Sequence, residues 1–114
     1  MIGEYMNTCI ITGNLGDDPE IVFTEGEKQI ATFSLAFKSG KDKTSWIKVS
    51  CFNRLAEVAA QYLHKGAKVA VTATLEQSKW KNEEGEPRSV HRLLANTIEF
   101  IKVDGKADND DAPF

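Results

Sequence analysis

One segment of the sequence, residues 45–52, alternates two kinds of side chain. The positions of one parity are apolar, and they are Ile47, Val49 and Cys51. The positions of the other parity are aromatic, cationic or hydroxylic, and they are Trp46, Lys48, Ser50 and Phe52. Successive side chains of a β-strand point to opposite faces, so we expect one core face and one exposed face. An exposed face with aromatic rings beside a cation suits a ligand that carries both planar rings and anionic groups.

A second segment, residues 68–80, places another tryptophan away from its apolar parity. Trp80 is flanked by Lys79 and Lys81, and Arg54 follows the first segment closely. A nucleic-acid base gains about 1–3 kcal/mol by stacking on an aromatic side chain, whichever base it is. The combined set of aromatics and cations therefore indicates a surface for single-stranded nucleic acid. The alternative is that these aromatics complete a small core or a subunit interface.

Charge is distributed unevenly along the chain. The formal net charge is −3, and the acidic residues 104–114 account for all of it, because residues 1–103 contain as many acidic as basic residues. Residues 37–81 hold nine basic and three acidic residues, a local excess of six positive charges. This basic middle segment suits a polyanionic partner, although a solvated surface would give the same pattern.

The pattern of apolar residues predicts five long strands and one helix. The strands are predicted at residues 6–15, 29–38, 45–52, 68–80 and 88–103, with a short extended piece at 20–24. Asn53 is the predicted N-cap of a helix that ends before Gly66. The helix thus falls between the third and fourth long strands, which favours an all-β, five-stranded OB-fold barrel. An SH3-like barrel and an α+β sandwich remain alternatives.

Composition excludes several classes of protein. A chain of 114 residues and 12.6 kDa is expected to form one core, and its apolar runs are too short to cross a membrane. Residues 1–6 do not resemble a signal peptide, so we expect a cytoplasmic location. Cys9 and Cys51 are predicted to be buried, reduced thiols. No metal, cofactor or catalytic site is expected, since His64 and His91 lie in no known catalytic motif.

Several motifs closely resemble the bacterial single-stranded DNA-binding protein family. The similar segments are Gly13-Asn14-Leu15-Gly16 with Asp18-Pro19-Glu20, residues 31–36, Trp46-Ile47-Lys48-Val49, residues 52–58, residues 62–66, Lys79-Trp80, and Asp110-Asp111-Ala112-Pro113-Phe114. Together they span nearly the whole chain. The last segment is similar to the family's acidic tip, which binds replication, repair and recombination proteins.

The resemblance implies an OB-fold over residues 1–103 that assembles as a homotetramer and binds single-stranded DNA. It implies a short linker and a disordered, partner-binding acidic tail over residues 104–114. Trp46, Phe52 and Trp80 would stack on bases, whereas Lys48, Arg54, Lys65 and Lys79 match positions that meet the DNA backbone. The remaining candidates are Phe37 for stacking and Lys38, Lys41, Lys43 and Lys81 for the backbone.

The sequence also departs from the family pattern. The stretch from Lys38 to Thr44 is short where the family often has a long loop with an aromatic. Positions that are often basic in the family hold Thr8, His64, Glu76 and Ser78. We therefore expect fewer phosphates to be neutralised and a weaker dependence of binding on salt.

Two other classes of function remain open at this stage. One is a protein-interaction module that uses the same barrel with little affinity for DNA. The other is a small nuclease-like subunit, which would need clustered carboxylates such as Asp17, Asp18 and Glu20. These three lie in a predicted turn, where a structural role is the simpler interpretation.

Overall fold

The computed structural model describes residues 5–102 of the chain. Its elements in chain order are β1 (Cys9–Leu15), β2 (Glu20–Phe23), β3 (Gln29–Gly40), β4 (Lys43–Phe52), α1 (Arg54–Tyr62), β5 (Lys68–Lys81) and β6 (Pro87–Lys102). The prediction of five long strands, one short extended piece and a helix between the third and fourth long strands is confirmed. The predicted acidic tail, residues 104–114, lies outside the described residues.

The strands form one sheet in the order β1-β5-β6-β4-β3-β2. A further pairing joins Asn14 and Leu15 at the end of β1 to β3. The pairings therefore lead from β1 through β5, β6, β4 and β3 back to β1. All are antiparallel except β4 with β6, which pair in parallel over residues 48–50 and 92–94. This arrangement is consistent with an OB-fold.

The core forms because each long strand turns its apolar parity to the same side of the sheet. Its largest fully buried side chains include Phe33 and Leu35 of β3, Val49 of β4 and Leu93 of β6. The helix contributes Ala56 and Ala59, which are small enough to let α1 pack closely against β3 and β4. The opposite side of the sheet, here called the outer face, carries the other parity.

Two cysteines were predicted to be buried thiols. Cys51 is fully buried, and burial raises its pKa to about 12, so it is a neutral thiol near pH 7. Cys9 is only half-buried, at the edge of the core.

The helix follows Asn53 and ends before Gly66, as the sequence predicts, but neither residue caps it in the expected way. Asn53 occupies the N-cap position, but its side chain makes no capping hydrogen bond and its φ is 55°. Its backbone instead connects two elements, since its N–H donates to the carbonyl of Gln29 at 2.8 Å. Gly66 does not cap the helix directly. With a φ of 92°, it turns the chain so that its N–H donates to the carbonyl of Leu15 at 2.9 Å.

The short connection predicted at residues 39–44 is shorter still in the structure. β3 continues to Gly40 and β4 begins at Lys43, so only Lys41 and Asp42 connect them. Asp42 has a φ of 58°, a conformation that tight hairpin connections require and that Asp tolerates better than most residues. In contrast, β1 is shorter than predicted, because it begins at Cys9 rather than at residue 6.

Part of the β5–β6 hairpin extends beyond the rest of the sheet. β1 pairs with β5 only as far as Ala73, and β4 pairs with β6 only from Arg92 onwards. Residues 77–81 and 87–91, here called the hairpin arm, thus pair only with each other within the part of the chain described. Asn82 closes the arm, because its Oδ1 accepts hydrogen bonds from the N–H groups of Glu84 and Glu86, both at 2.9 Å.

Leu75 and Leu93 provide a direct test of where the core ends. The two residues are paired on β5 and β6, but Leu93 is fully buried whereas Leu75 is 38% exposed. We expect Leu93→Ala to lower the free energy of unfolding by about 2–5 kcal/mol, because it leaves a cavity. The matched variant Leu75→Ala should cost clearly less. Urea unfolding at one protein concentration measures both, and equal losses would contradict this account of the core.

Candidate nucleic-acid interface

The outer face of β4 presents its aromatic and cationic side chains as the sequence predicts. Trp46 is 60% exposed, Phe52 is 40% exposed and Lys48 is exposed, while Ile47 and Val49 point towards the core. Small residues of β3 lie beside them, since Ala36 pairs with Trp46 and Ser34 pairs with Lys48. Because these neighbours are short, the larger side chains of β4 rise above the surrounding surface.

Ser50 is the exception on this face. The sequence alternation placed it among the exposed residues, but the structure buries it almost completely. β4 is an interior strand, and Ser50 lies between Thr32 of β3 and Leu94 of β6. Its hydroxyl lies 3.4 Å from the Thr32 hydroxyl, within hydrogen-bonding distance. Ser50 is therefore packed between its neighbours and is not accessible to a ligand.

Trp46 packs directly on the backbone of Gly16, just beyond the end of β1. A Cβ atom added to Gly16 would lie 2.4 Å from Cζ3 of the indole, which is shorter than any real contact. The N–H of Gly16 donates to the carbonyl of Ser34 at 2.9 Å, which fixes this backbone against β3. The glycine of the Gly13-Asn14-Leu15-Gly16 motif thus provides the flat surface on which the indole lies.

The second tryptophan lies on the hairpin arm. Trp80 is 49% exposed and pairs with Arg88, while Ser78 and Glu76 on the same strand face pair with Val90 and Arg92. Arg88 was not among the residues singled out from the sequence. If Asn82 and Glu86 are known to close the turn, pairing the residues on either side of them places Arg88 opposite Trp80. The sequence alone does not give this register, because the register of a hairpin depends on its turn.

Lys79 and Lys81 do not share a face with Trp80. They alternate with it along β5, so their side chains leave the opposite side of the arm. Both lysines and Trp80 nevertheless line one open hollow, together with Gln77, Pro87, Arg88 and Ser89. Their assignment to the DNA backbone stays a prediction. They are close to Trp80 in sequence, but the cation beside Trp80 on its own face is Arg88.

The other candidates lie around the rim of the sheet. Phe37 is half-buried with the parity of Leu35, so it does not join the face that carries Trp46, and it lines a hollow with Gly13 and Lys68. Lys38 is exposed at the end of β3, opposite Thr44. Lys41 and Lys43 are exposed at the β3–β4 connection.

Arg54 and Lys65 lie at the two ends of the α1 region. Arg54 is exposed at the first residue of α1 and lines a hollow with Phe23 and Glu57. Lys65 is exposed in the loop after α1, and its backbone N–H donates to Oδ1 of Asp18 at 2.8 Å. Asp18 therefore has a structural role, as its position in a turn indicated.

Among residues 5–102, no three His, Cys, Asp or Glu side chains are grouped as metal ligands.

An apolar row that the sequence analysis missed continues from Phe52 across the outer face. Phe52 pairs with Ile30 of β3, and Ile30 pairs with Val22 of β2. Val22 is half exposed. The signal was present in the alternation of β2, but a four-residue strand is too short for its parity to be assigned from sequence.

The fold and this face together define a class of small β-proteins that present aromatic rings and cations on an exposed sheet surface. Residues 6–101 match the model of the Single-strand binding protein family, and the chain belongs to this family. It is 35% identical over 104 residues to the Single-stranded DNA-binding protein of Xylella fastidiosa (strain Temecula1 / ATCC 700964). The aligned region covers 84% of this chain and 63% of that relative. The chain thus spans less than two thirds of the length of the relative it matches.

Residues 5–102 include no helix that has both the length and the apolar character needed to span a membrane.

The contact between Gly16 and Trp46 generates a prediction about the indole. In a Trp80→Phe background, Trp46 is the single tryptophan, and Gly16→Ala should displace it because the new methyl group would overlap the ring. We expect a shift in the fluorescence emission maximum and stronger quenching by acrylamide. Gly40→Ala is the control, since the nearest atom to its added Cβ is 3.9 Å away. Identical spectra for the two variants would show that Gly16 does not position Trp46.

Proposed function

We propose that this protein binds single-stranded DNA without sequence specificity, through the outer face of β4 and the Trp80 face of the hairpin arm. The observation that carries the proposal is the exposure of Trp46, Phe52 and Trp80 on sheet surfaces that also carry Lys48 and Arg88. Membership of the Single-strand binding protein family supports it. The protein protects the bound strand and catalyses no reaction.

The geometry of β4 suits a flexible strand with several bases. Trp46 and Phe52 are six residues apart on one strand face, a separation of about 20 Å at roughly 3.3 Å per residue. Lys48 lies between them, where a phosphate linking the stacked bases can approach. Aromatic faces accept every base, so this arrangement provides affinity without selecting a sequence.

We also propose that the protein assembles as a homotetramer with closed OB-fold barrels. β1 pairs with β5 along one edge, but its other edge pairs with β3 only at Asn14 and Leu15 within residues 5–102. Residues Cys9 to Thr12 thus offer backbone groups to a second copy, and the neighbouring side chain of Ile10 is 71% exposed. An exposed strand edge with a large apolar residue beside it is typical of an assembly surface.

Roles in replication, repair and recombination complete the proposal. The support is the similarity of Asp110-Asp111-Ala112-Pro113-Phe114 to the family's partner-binding tip, a segment that lies outside the described residues. Such a protein would act in the bacterial cytoplasm, at the nucleoid. The competing hypothesis is an interaction module with the same fold and little DNA affinity, and measured binding of oligo-dT separates the two.

The stacking residues are tested by binding of labelled oligo-dT, followed by fluorescence anisotropy at low and high salt. Wild-type protein should bind, and Trp46→Ala, Phe52→Ala and Trp80→Ala should each weaken binding by roughly 5- to 150-fold, since each removes one stacking surface. Tyr62→Ala is the matched control, because Tyr62 on α1 is as exposed as Trp80 but packs beside Phe100 outside this face. A wild-type protein that does not bind at either salt would refute the proposed function.

The acidic segment is tested by deleting residues 108–114. The eleven residues from 104 onwards can extend at most about 36–40 Å, which lets their carboxylates reach a basic surface and compete with DNA. The deletion removes three aspartates, so we expect tighter binding at low salt and no difference at high salt. Replacing Asp108, Asp110 and Asp111 by Asn should have the same effect. Unchanged affinity in both variants would exclude competition by this segment.

A further inference from the structure

Three charged residues form one row across the middle of the outer face. Glu76 of β5 pairs with Arg92 of β6, and Arg92 pairs with Lys48 of β4. The three side chains thus lie on neighbouring strands, which are spaced about 4.8 Å apart. Arg92 stands between a carboxylate and an ammonium group, and the sequence analysis assigned it no role.

The hydrogen bond between Arg92 and Glu76 uses only part of the guanidinium group. Arg92 Nε donates to Glu76 Oε1 at 2.8 Å, and the side chains remain 38% and 42% exposed. A guanidinium has five N–H donors, four of them on the two Nη atoms. Within residues 5–102 these Nη atoms make no hydrogen bond, so they are free to donate to a ligand. A bond through Nε also fixes the plane of the group.

The position of the row brings Arg92 closer to Trp46 than to Trp80. Trp46 precedes Lys48 by two residues on β4, so its Cα lies about 8 Å from that of Arg92 by sheet spacing. Trp80 follows Glu76 by four residues on β5, which gives about 14 Å by the same spacing. Both tryptophans lie on the hairpin-tip side of the row, whereas Phe52 lies on its other side. A DNA strand whose bases stack on Trp46 and Phe52 therefore passes over Lys48, directly beside Arg92.

We infer that Arg92 binds a phosphate group of single-stranded DNA through its Nη atoms, and that Glu76 is the positioning residue that orients it. This inference rests on the proposed function. A planar guanidinium donates two parallel hydrogen bonds to phosphate oxygens, which a flexible ammonium group does not do. Glu76 has two opposing effects, because its hydrogen bond fixes Arg92 while its negative charge repels the phosphate.

The two effects of Glu76 can be separated by substitution. Glu76→Gln keeps an oxygen that accepts from Arg92 Nε but removes the charge, so it should bind oligo-dT more tightly at low salt and leave the orientation of Arg92 intact. Glu25→Gln is its control, since Glu25 is an exposed residue in the β2–β3 turn. A Glu76→Gln variant that binds no more tightly than Glu25→Gln would contradict the inference.

The role of Arg92 is tested by the dependence of binding on salt. Each phosphate contact on a single strand adds about 0.7 to the slope of log affinity against log salt concentration. Arg92→Gln should reduce that slope by about 0.7, which is about eightfold weaker binding at 50 mM salt if the curves meet at 1 M. Lys28→Gln, an exposed charge in the β2–β3 turn, is the control and should change the slope little.

The conservative variant Arg92→Lys separates a phosphate contact from a purely structural role, because only a phosphate contact depends on the charge. Arg92→Lys preserves the charge, so it should restore most of the slope while binding more weakly than wild type, because the two parallel hydrogen bonds are lost. If Arg92→Gln does not fold by circular dichroism, Arg92→Lys and Glu76→Gln carry the test. Wild-type binding with an unchanged slope in Arg92→Gln, or with an unchanged affinity in Arg92→Lys, would refute this inference alone. Absence of wild-type binding would refute the proposed function instead.

Discussion

The structure depends on one constraint, which is that a single sheet around a single small core can bury only one face of each strand. Phe33, Val49, Val71 and Leu93 take the inner positions of four strands and leave no room for larger groups. Large side chains of the other parity must therefore face solvent, a neighbouring copy or a ligand, and only a small residue such as Ser50 is buried there. Trp46 and Phe52 are exposed because the core has no space for them, and their exposure is what makes them available for stacking.

The same constraint explains which features the sequence predicts well. The assignment of a residue to the inner or outer face depends only on the two-residue period of its own strand. Ile47 and Val49 against Trp46 and Lys48 could thus be separated without knowing any partner strand. The position of α1 was equally clear, since its apolar residues follow the helical period between two well-marked strands.

Features that depend on partners were predicted less well. The exposure of Ser50 depends on Thr32 and Leu94, which lie on two other strands and are distant in sequence. The pairing of Trp80 with Arg88, and of Glu76 with Arg92, depends on the register of the hairpin. Sequence proximity suggested Lys79 and Lys81 as companions of Trp80, but adjacent residues of a strand are the ones that point apart.

The closure of the hairpin arm by Asn82 affects how the arm can vary among related proteins. Both hydrogen bonds accepted by the Asn82 side chain come from within the turn, so the turn keeps its shape without support from the rest of the sheet. Two residues added to each strand would lengthen the arm and leave every side chain on its original face. One residue added to each strand would exchange the two faces beyond the insertion, and would move Trp80 to the side that Lys79 and Lys81 now occupy. Changes of arm length in even steps are thus compatible with the surface described above, whereas odd steps are not.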